Sequence, residues 1–136
     1  MRHLPSLLVD ALLVLLFALM GRLSHAEDVT VSGVLQTAWP FLIGLLLGWL
    51  AVRGLRHRWP REVLDAVPVW LVTVVTGLGL RVLSGTGEAP VSFAIVAAVV
   101  LGAFLLGWRS VAAITLFAVD GLGRWNRGQA KARTGR

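Results

Sequence analysis

Apolar residues in this chain come in four long runs, and short polar connections separate them. The runs contain the sequences LLVDALLVLLFALM, FLIGLLLGWLAV, VPVWLVTVVTGLGL and VSFAIVAAVVLGAFLLGW. A helix needs about 20 mostly apolar residues to cross about 30 Å of hydrocarbon, and each run with its flanks reaches that length. The pattern therefore predicts four transmembrane helices, at about residues 5–22, 34–52, 64–83 and 91–109.

The connections between the runs are short, which favours antiparallel neighbouring helices. HAEDVTVS and SGTGEAP carry the Gly, Pro, Ser and acidic residues that are typical of turns, whereas RGLRHRWPRE is a basic loop. We therefore expect the all-α class and, within it, an integral membrane four-helix bundle of two tandem helical hairpins that occupies residues 1–120.

The segment after the fourth run is compatible with two arrangements. SVAAITLFAVD follows Arg109 and is too short for a fifth span. Either the fourth helix continues past the membrane or this segment lies on the inner surface. Residues 121–136, GLGRWNRGQAKARTGR, are basic and glycine-rich. They are predicted to form a mobile tail that is attracted to anionic lipid.

Basic residues are distributed unevenly between the two sides of the predicted bundle. The chain has 13 Lys and Arg residues, and only Arg22 and Arg81 fall on the side of the two turn-like connections. The rest lie on the side of the termini and the middle connection. Because basic residues near span ends stay in the cytoplasm, both termini are predicted to be cytoplasmic. The net charge of +6 is then a topology signal, and no nucleic-acid partner is expected.

Composition agrees with a lipid bilayer as the main partner of the chain. Hydrophobic residues make up 57% and charged residues 15%, against about 45–50% and about 25% in soluble domains. The absence of cysteine excludes disulfides, thiolate metal sites and a cysteine nucleophile. The first residues also resemble a secretory signal, but Asp10 interrupts the apolar stretch that such a signal requires. We therefore expect the first helix to be retained.

The sequence LLGW occurs twice, at residues 46–49 and 105–108. A shift of 59 positions aligns the two halves without a gap and places Arg22 on Arg81 and Trp49 on Trp108. This register predicts a duplicated hairpin with a pseudo-twofold axis along the membrane normal. The alternative is that hairpins of equal length share polar ends by chance. Both tryptophans are expected to be anchors at the inner interface, where indole rings are enriched.

Small residues follow the same register. Gly44 and Gly48 lie four positions apart in the second run, and Ala103 and Gly107 occupy the corresponding positions in the fourth. In lipid, helices associate by close packing at such small residues. Both pairs are therefore predicted to be helix-packing positions.

Five segments together resemble a known family: the Asp in the first helix, GRLSH at its outer end, TAWPFLIGLLLGW, WLVTVVTGLGLR and SFAIVAAVVLGAFLLGWR. They are similar to small bacterial membrane proteins of a domain-of-unknown-function family (three-zero-five-four in its usual numbering), over about residues 7–110. The resemblance implies a four-span, multi-pass protein of the bacterial inner membrane. It implies no activity and supplies no catalytic residues.

Asp10 is the residue whose insertion into a membrane costs most. An intramembrane carboxylate usually faces the bundle interior, and Asp10 shares a helix face with Ser24. One interpretation is an ion or proton site. The other, which we favour because a relay normally uses several ionisable groups, is a structural partner for a basic residue at the same depth. Arg109 is the first candidate for that partner.

Arg22 and Arg81 are the second candidate pair, and both are predicted near the outer interface. The simpler interpretation is that their stems are buried while the charged heads reach water. The alternative is that they converge and bind an anion, because guanidinium groups suit carboxylate and phosphate oxygens. Thr73 shares a face with Arg81, and His25 lies in the outer connection beside Arg22. These residues complete the candidate polar site.

No motif in the sequence indicates an enzyme. None of the three histidines, His3, His25 and His57, has the helical partner that a metal pair requires, and neither a catalytic triad nor a phosphate-binding loop is evident. We therefore expect no metal, no cofactor and no catalytic residue.

The favoured function is a component of a small-solute or ion transporter or channel. The alternative is a non-enzymatic accessory or scaffold subunit of a membrane complex. Either role leaves room for a homo-oligomer or a membrane partner protein.

Overall fold

The computed structural model describes residues 3–135 and is all-helical over that range. Its four helices are α1 (Leu4–Ser24), α2 (Val31–Arg56), α3 (Val63–Leu83) and α4 (Val91–Thr134). Each helix is long and apolar enough to cross a membrane. The predicted fold class is confirmed, and each helix contains the span that the hydrophobic pattern predicts.

Local sequence signals define where the helices begin and end. The Thr30 hydroxyl accepts a hydrogen bond from the Gly33 N–H, which caps the start of α2. Glu62 and Asp65 form a reciprocal capping box at the start of α3. His57 ends α2 in the left-handed region, with φ of 53°. The helices are longer than the predicted spans because hydropathy detects the apolar part alone, whereas helical structure also includes these polar ends.

The four helices pack in a ring. α2 contacts α1 and α3, and α4 contacts α3 and α1, with α2 and α3 sharing the largest interface. The core lies inside this ring and consists mainly of aliphatic and aromatic side chains, which are Val14, Phe17, Phe41, Leu45, Trp49, Val52, Val69, Val74, Ala97, Leu101 and Leu105.

Large apolar side chains also cover the outside of the ring. Leu12 is 63% exposed, Val75 70% and Val99 64%. Soluble monomers rarely expose a continuous apolar surface of this kind, whereas a lipid-facing surface consists of such residues. The molecule is therefore a four-span, multi-pass membrane protein.

The ring has two different ends, which we name for reference. The loop end carries the connections at residues 25–30 and 84–90. The basic end carries the connection at residues 57–62, the start of α1 and the extension of α4. The charge distribution predicts the loop end outside and the basic end inside.

α4 is a continuous helix as far as Thr134, so it extends about 25 residues past Arg109. The sequence left two alternatives for the segment after Arg109, a continued helix or a segment on the inner surface. The structure shows the continued helix. Gly121 and Gly123 do not interrupt it. The helix includes the region predicted as a tail as far as Thr134, and the mobility of that region stays a prediction.

Candidate functional site

The Asp10 carboxylate is bound by side chains from two other helices. Asp10 is completely buried. Arg109 donates to it with both terminal nitrogens, from Nη1 to Oδ1 at 2.8 Å and from Nη2 to Oδ2 at 2.7 Å. Trp49 Nε1 donates to Oδ2 at 2.9 Å, and Trp108 Nε1 donates to Oδ1 at 2.8 Å. One carboxylate from α1 therefore accepts four hydrogen bonds from α2 and α4. We call these four residues the Asp10 cluster.

The Asp10 cluster gives the repeated LLGW sequence a structural role. The final tryptophan of each copy donates its indole N–H to the same carboxylate, although 59 residues separate them. We expected Trp49 and Trp108 to be interface anchors. In the structure Trp49 is buried and Trp108 is half-buried, because an indole N–H that leaves water needs an acceptor and Asp10 supplies it.

Arg109 has further contacts in this cluster. Its Nη1 also donates to the Leu105 carbonyl at 2.9 Å, and its guanidinium carbon lies 4.8 Å from the centre of the Trp108 ring. The ion pair is the one that the structural interpretation of Asp10 predicts. A bidentate pair with two added donors holds the carboxylate in one position and offsets the cost of burying both charges.

Beside the Asp10 cluster, a cavity of about 930 Å³ opens at the basic end, and Ser6, Arg58 and Trp108 contribute to its wall. Arg58 Nη1 donates to Glu62 Oε1 at 2.6 Å. This hydrogen bond lowers the pKa of the Glu62 carboxyl below its ordinary value. Both groups are exposed, so their mutual ion pair adds little stability, although Arg58 Nη2 also lies 3.2 Å from Oδ1 of the buried Asp65.

At the loop end, Arg22 holds the connection between α1 and α2. Its Nε and Nη2 donate to the Asp28 carbonyl at 3.0 and 2.7 Å. Its Nη1 lies 2.9 Å from a Glu27 carboxylate oxygen and 3.5 Å from the Thr37 hydroxyl. All three guanidinium nitrogens of Arg22 therefore have acceptors within the protein.

Arg81, which corresponds to Arg22 in the other hairpin, is used differently. Its Nε donates to the Glu88 carbonyl at 3.0 Å, and its guanidinium carbon lies 4.6 Å from the centre of the Phe93 ring. Within residues 3–135, Nη1 and Nη2 of Arg81 have no acceptor. Arg81 thus presents two terminal nitrogens of a planar fork that suits a carboxylate or phosphate.

Both arginines line one cavity of about 640 Å³ at the loop end, which we call the loop-end cavity. Ser24 and His25, two further residues of the predicted polar site, also line it, as do Glu27 and Glu88. That both arginines line one cavity agrees with the convergence interpretation. Both side chains are half-buried, which agrees equally with buried stems and heads that reach water, so the choice between the two interpretations stays a prediction.

Phenylalanine rings form the floor of the loop-end cavity. Phe17 and Phe93 line it, and their ring centres lie 6.4 Å apart. Phe41 completes the group from below, 5.2 Å from Phe17 and 6.4 Å from Phe93. The cavity therefore has charged walls and an apolar floor, which are the two features of a typical small-molecule site.

Other predicted site residues lie elsewhere. Thr73 is fully buried, and its hydroxyl donates to the Val69 carbonyl at 2.6 Å. Its predicted place in the polar site is incorrect, because the hydroxyl is satisfied within its own helix and the residue faces α2. Asp10 and Arg109 belong to the basic end. The predicted set is thus divided between two sites rather than collected in one.

The two pairs of small residues also differ in their contacts. A Cβ added at Gly44 would lie 2.7 Å from the Thr73 carbonyl oxygen, and one added at Gly48 would lie 2.9 Å from that of Val69. These glycines let α2 pack directly against the backbone of α3. Ala103, however, is exposed, and a Cβ at Gly107 would meet no described atom within 4 Å. The predicted packing role of this second pair is therefore not seen, because α4 turns another face to its neighbours.

Several residues of the loop-end cavity were not anticipated from the sequence. Glu27 and Glu88 lie in connections, where acidic residues are expected in any case, and Phe93 lies in an apolar run. No local motif distinguishes them. Their one available signal is the position of Glu88, seven residues after Arg81, which places it at the same end of the bundle.

A family model described as Protein of unknown function (DUF3054) matches residues 7–112. The match covers most of the chain, so the chain belongs to this family, and the resemblance noted from the sequence is confirmed. Neither the curated proteins nor the solved structures contain a match to this chain.

Proposed function

We propose that this four-span protein binds small solutes that carry a carboxylate or phosphate group and takes part in their passage across the bilayer. The loop-end cavity is the proposed binding site, and Arg81 is the proposed anion anchor. The observation that carries the proposal is the half-buried fork of Arg81, whose terminal nitrogens have no acceptor among the described residues although they line a cavity.

The two equivalent arginines have separate roles in this proposal. Arg22 already has acceptors in Asp28, Glu27 and Thr37, so it holds the connection in place. Arg81 uses only Nε for the corresponding task. Because Nη1 and Nη2 of Arg81 are accessible and have no acceptor among the described residues, a ligand oxygen can bind them without displacing a contact within the protein, as it would have to at Arg22.

The structure below the cavity limits the kind of passage that the proposal requires. Phe41, Leu45 and Leu101 are completely or almost completely buried and fill the core between the loop-end cavity and the Asp10 cluster. A solute would therefore cross one chain only after the phenylalanine floor moves, or it would cross along an interface between copies. The proposal involves binding and passage, without a chemical step.

Arg81→Gln and Arg22→Gln form a matched pair of variants that tests the proposed site. Each full-length chain is placed in lipid nanodiscs, and the binding of leucine and 4-methylpentanoate, two carboxylates with the same branched chain, is measured by calorimetry. We expect the wild-type chain to bind at least one of them. Arg81→Gln should weaken that binding by about tenfold or more, equivalent to about 1.4 kcal/mol. Arg22→Gln should mainly lower the melting temperature.

Two results would contradict this proposal. The first is that the wild-type chain binds neither carboxylate, and the second is that Arg81→Gln leaves the affinity unchanged while the chain stays folded. A loss of binding in Arg22→Gln alone, with an unchanged melting temperature, would mean that Arg22, rather than Arg81, is the anion anchor.

A second role, that of an accessory or scaffold subunit, is supported by the extension of α4. Past Arg109, the side chains of Ile114, Phe117 and Trp125 are 67–75% exposed, on a helix that extends away from the ring. Such residues suit a second copy of the chain or a membrane partner, and the basic residues beyond them suit anionic lipid. This role would be favoured if the wild-type chain binds neither carboxylate and forms an oligomer in solution whose molar mass falls in the Phe117→Asn variant.

A further inference from the structure

We propose that the ligand of the loop-end cavity is a zwitterion, with a carboxylate or phosphate for Arg81, an ammonium group for Glu88 and a short apolar part for the phenylalanine floor. This inference rests on the proposed function and names the solute class of the same site. Its basis is the distribution of charges around the cavity and the way in which the protein itself satisfies them.

Charges around the cavity fall into one satisfied pair and one unsatisfied pair. Arg22 and Glu27 neutralise each other at 2.9 Å. Arg81 and Glu88 remain, one of each sign, and both line the cavity. Within residues 3–135, the Glu88 carboxylate has no hydrogen-bond donor and forms no ion pair with Arg81. The cavity thus presents one available cation and one available anion.

The backbone keeps these two available charges near each other. Arg81 Nε donates to the carbonyl of Glu88 itself, at 3.0 Å, so the guanidinium holds the segment that carries the carboxylate. Pro90 follows two residues after Glu88 and lies immediately before α4, with an extended ψ of 157°. A proline restricts the backbone of the residue before it. The two groups are therefore held at one end of the cavity without pairing directly.

A ligand of a single charge would fit this arrangement less well. A simple anion at Arg81 would also approach the Glu88 carboxylate, and a simple cation at Glu88 would approach the Arg81 guanidinium. Each would meet repulsion from a like charge at short range. A zwitterion satisfies both groups, and mismatched charges are a common basis of selectivity.

The apolar part of the ligand follows from the rest of the lining. Phe17, Phe93 and Val96 border the cavity beside the charged groups, and Phe93 packs against the guanidinium of Arg81. A branched or linear aliphatic group next to the charged atoms would contact these side chains. The same chemistry occurs in a free amino acid and in a lipid with an ethanolamine headgroup, so the experiment has to separate these two sources.

The test uses three compounds with the same branched chain and different charged groups. Leucine is the zwitterion, 4-methylpentanoate lacks its ammonium group, and 3-methylbutylamine lacks its carboxylate. Binding is measured on the full chain in nanodiscs of phosphatidylglycerol alone. We expect leucine to bind about tenfold or more tightly than either of the other two, a difference that one satisfied charge can supply.

Glu88→Gln and Glu27→Gln are the matched variants. Glu88→Gln should remove the preference for leucine over 4-methylpentanoate, because the ammonium group then has no carboxylate to meet. Glu27→Gln should keep that preference, since the Glu27 carboxylate already interacts with Arg22. Both residues are exposed in connections, so both variants are expected to fold, and their melting temperatures serve as the control.

A second arm identifies a lipid source. The chain is released from nanodiscs of mixed phosphatidylglycerol and phosphatidylethanolamine, and its bound lipids are identified by native mass spectrometry. Enrichment of phosphatidylethanolamine that disappears in Glu88→Gln would support the zwitterion and assign it to a headgroup. Leucine binding without this enrichment would support a free solute.

Two outcomes would overturn the inference. If 4-methylpentanoate binds through Arg81 as tightly as leucine and Glu88→Gln changes neither, the ligand is a simple anion, and the proposed function stands without the zwitterion. If leucine does not bind and phosphatidylethanolamine is not enriched, the zwitterion is excluded. If in addition Arg81→Gln has no effect on any compound, the proposed function fails as well.

Discussion

At the scale of single residues, the buried Asp10 carboxylate connects three helices of the bundle. Asp10 accepts four hydrogen bonds, two from Arg109 and one each from Trp49 and Trp108. Trp49 lies on α2 of the same hairpin, whereas Trp108 and Arg109 lie on α4 and reach Asp10 only when the ring is closed. The Asp10 cluster is therefore expected to form together with the tertiary fold rather than within any one hairpin.

Asp10→Asn tests the strength of this cluster. The change keeps the size of the side chain but leaves the buried Arg109 without its counter-charge, which should destabilise the protein by about 3–5 kcal/mol. Trp49→Phe removes one donor only and should cost about 1–3 kcal/mol. Both values can be measured by reversible unfolding in mixed micelles.

The double variant Asp10→Leu with Arg109→Leu is the control for charge. Replacement of a buried ion pair by apolar residues is often nearly neutral, so the double variant should be more stable than Asp10→Asn even though the indole N–H groups of Trp49 and Trp108 lose their acceptor. A double variant that is less stable than the single one would mean that the geometry of the cluster, rather than an unpaired charge, governs the cost.

The sequence supports part of the Asp10 cluster and cannot supply the rest. An Asp inside an apolar run signals an inward-facing group that needs a basic partner, and Arg109 is the basic residue at matching depth. The role of Trp49 and Trp108 as donors depends on the rotation of α2 and α4 about their axes. In helices that are apolar on every side, the hydropathy pattern does not show which face points into the bundle, so it does not predict that rotation.

At the scale of elements, glycine determines how closely α2 approaches α3. Gly44 and Gly48 face the backbone of Thr73 and Val69, with no side chain between the helices. Their spacing in the sequence predicts such a contact. The spacing does not show which neighbour is contacted, and it fails for Ala103 and Gly107, which have the same spacing in α4 without the contact.

Alanine substitutions at these glycines give a matched comparison. Gly44→Ala and Gly48→Ala would place a methyl group within 3.0 Å of α3 backbone atoms. Since a backbone cannot yield as a flexible side chain does, each change should destabilise the bundle by about 1–3 kcal/mol. Gly107→Ala should be neutral or slightly stabilising, because alanine favours helix more than glycine does. Thermal unfolding in one detergent compares all three, and equal effects at the three positions would refute the assigned packing.

At the scale of the whole molecule, the ring has a cavity at each end, and the Asp10 cluster connects α1, α2 and α4 near the basic end. The four spans follow from hydropathy, and the loops follow from their turn residues. The orientation in the membrane, with both termini in the cytoplasm, stays a prediction from the basic residues. The internal duplication also stays a prediction: the paired arginines and tryptophans support it, whereas the two small-residue pairs differ in their contacts.

The two arginines make different contacts, and this difference is the part of the loop-end site that the sequence does not predict. Arg22 and Arg81 occupy equivalent positions, and each donates to a carbonyl in the connection that follows it. Their difference comes from the connections themselves, where Glu27 reaches Arg22 but Glu88 does not reach Arg81. Such loop conformations depend on tertiary contacts that no local pattern in the sequence expresses.

The most direct test of the account is arginine side-chain NMR on the full chain in nanodiscs of phosphatidylglycerol, during a titration with leucine. Arg81→Lys and Arg22→Lys assign the Nε–H signals of the two residues. The account predicts that the Arg81 signal shifts with increasing leucine, whereas the Arg22 signal stays in place because its acceptors are within the protein. A shift of the Arg22 signal alone, or no shift of either signal up to saturating leucine, would contradict it.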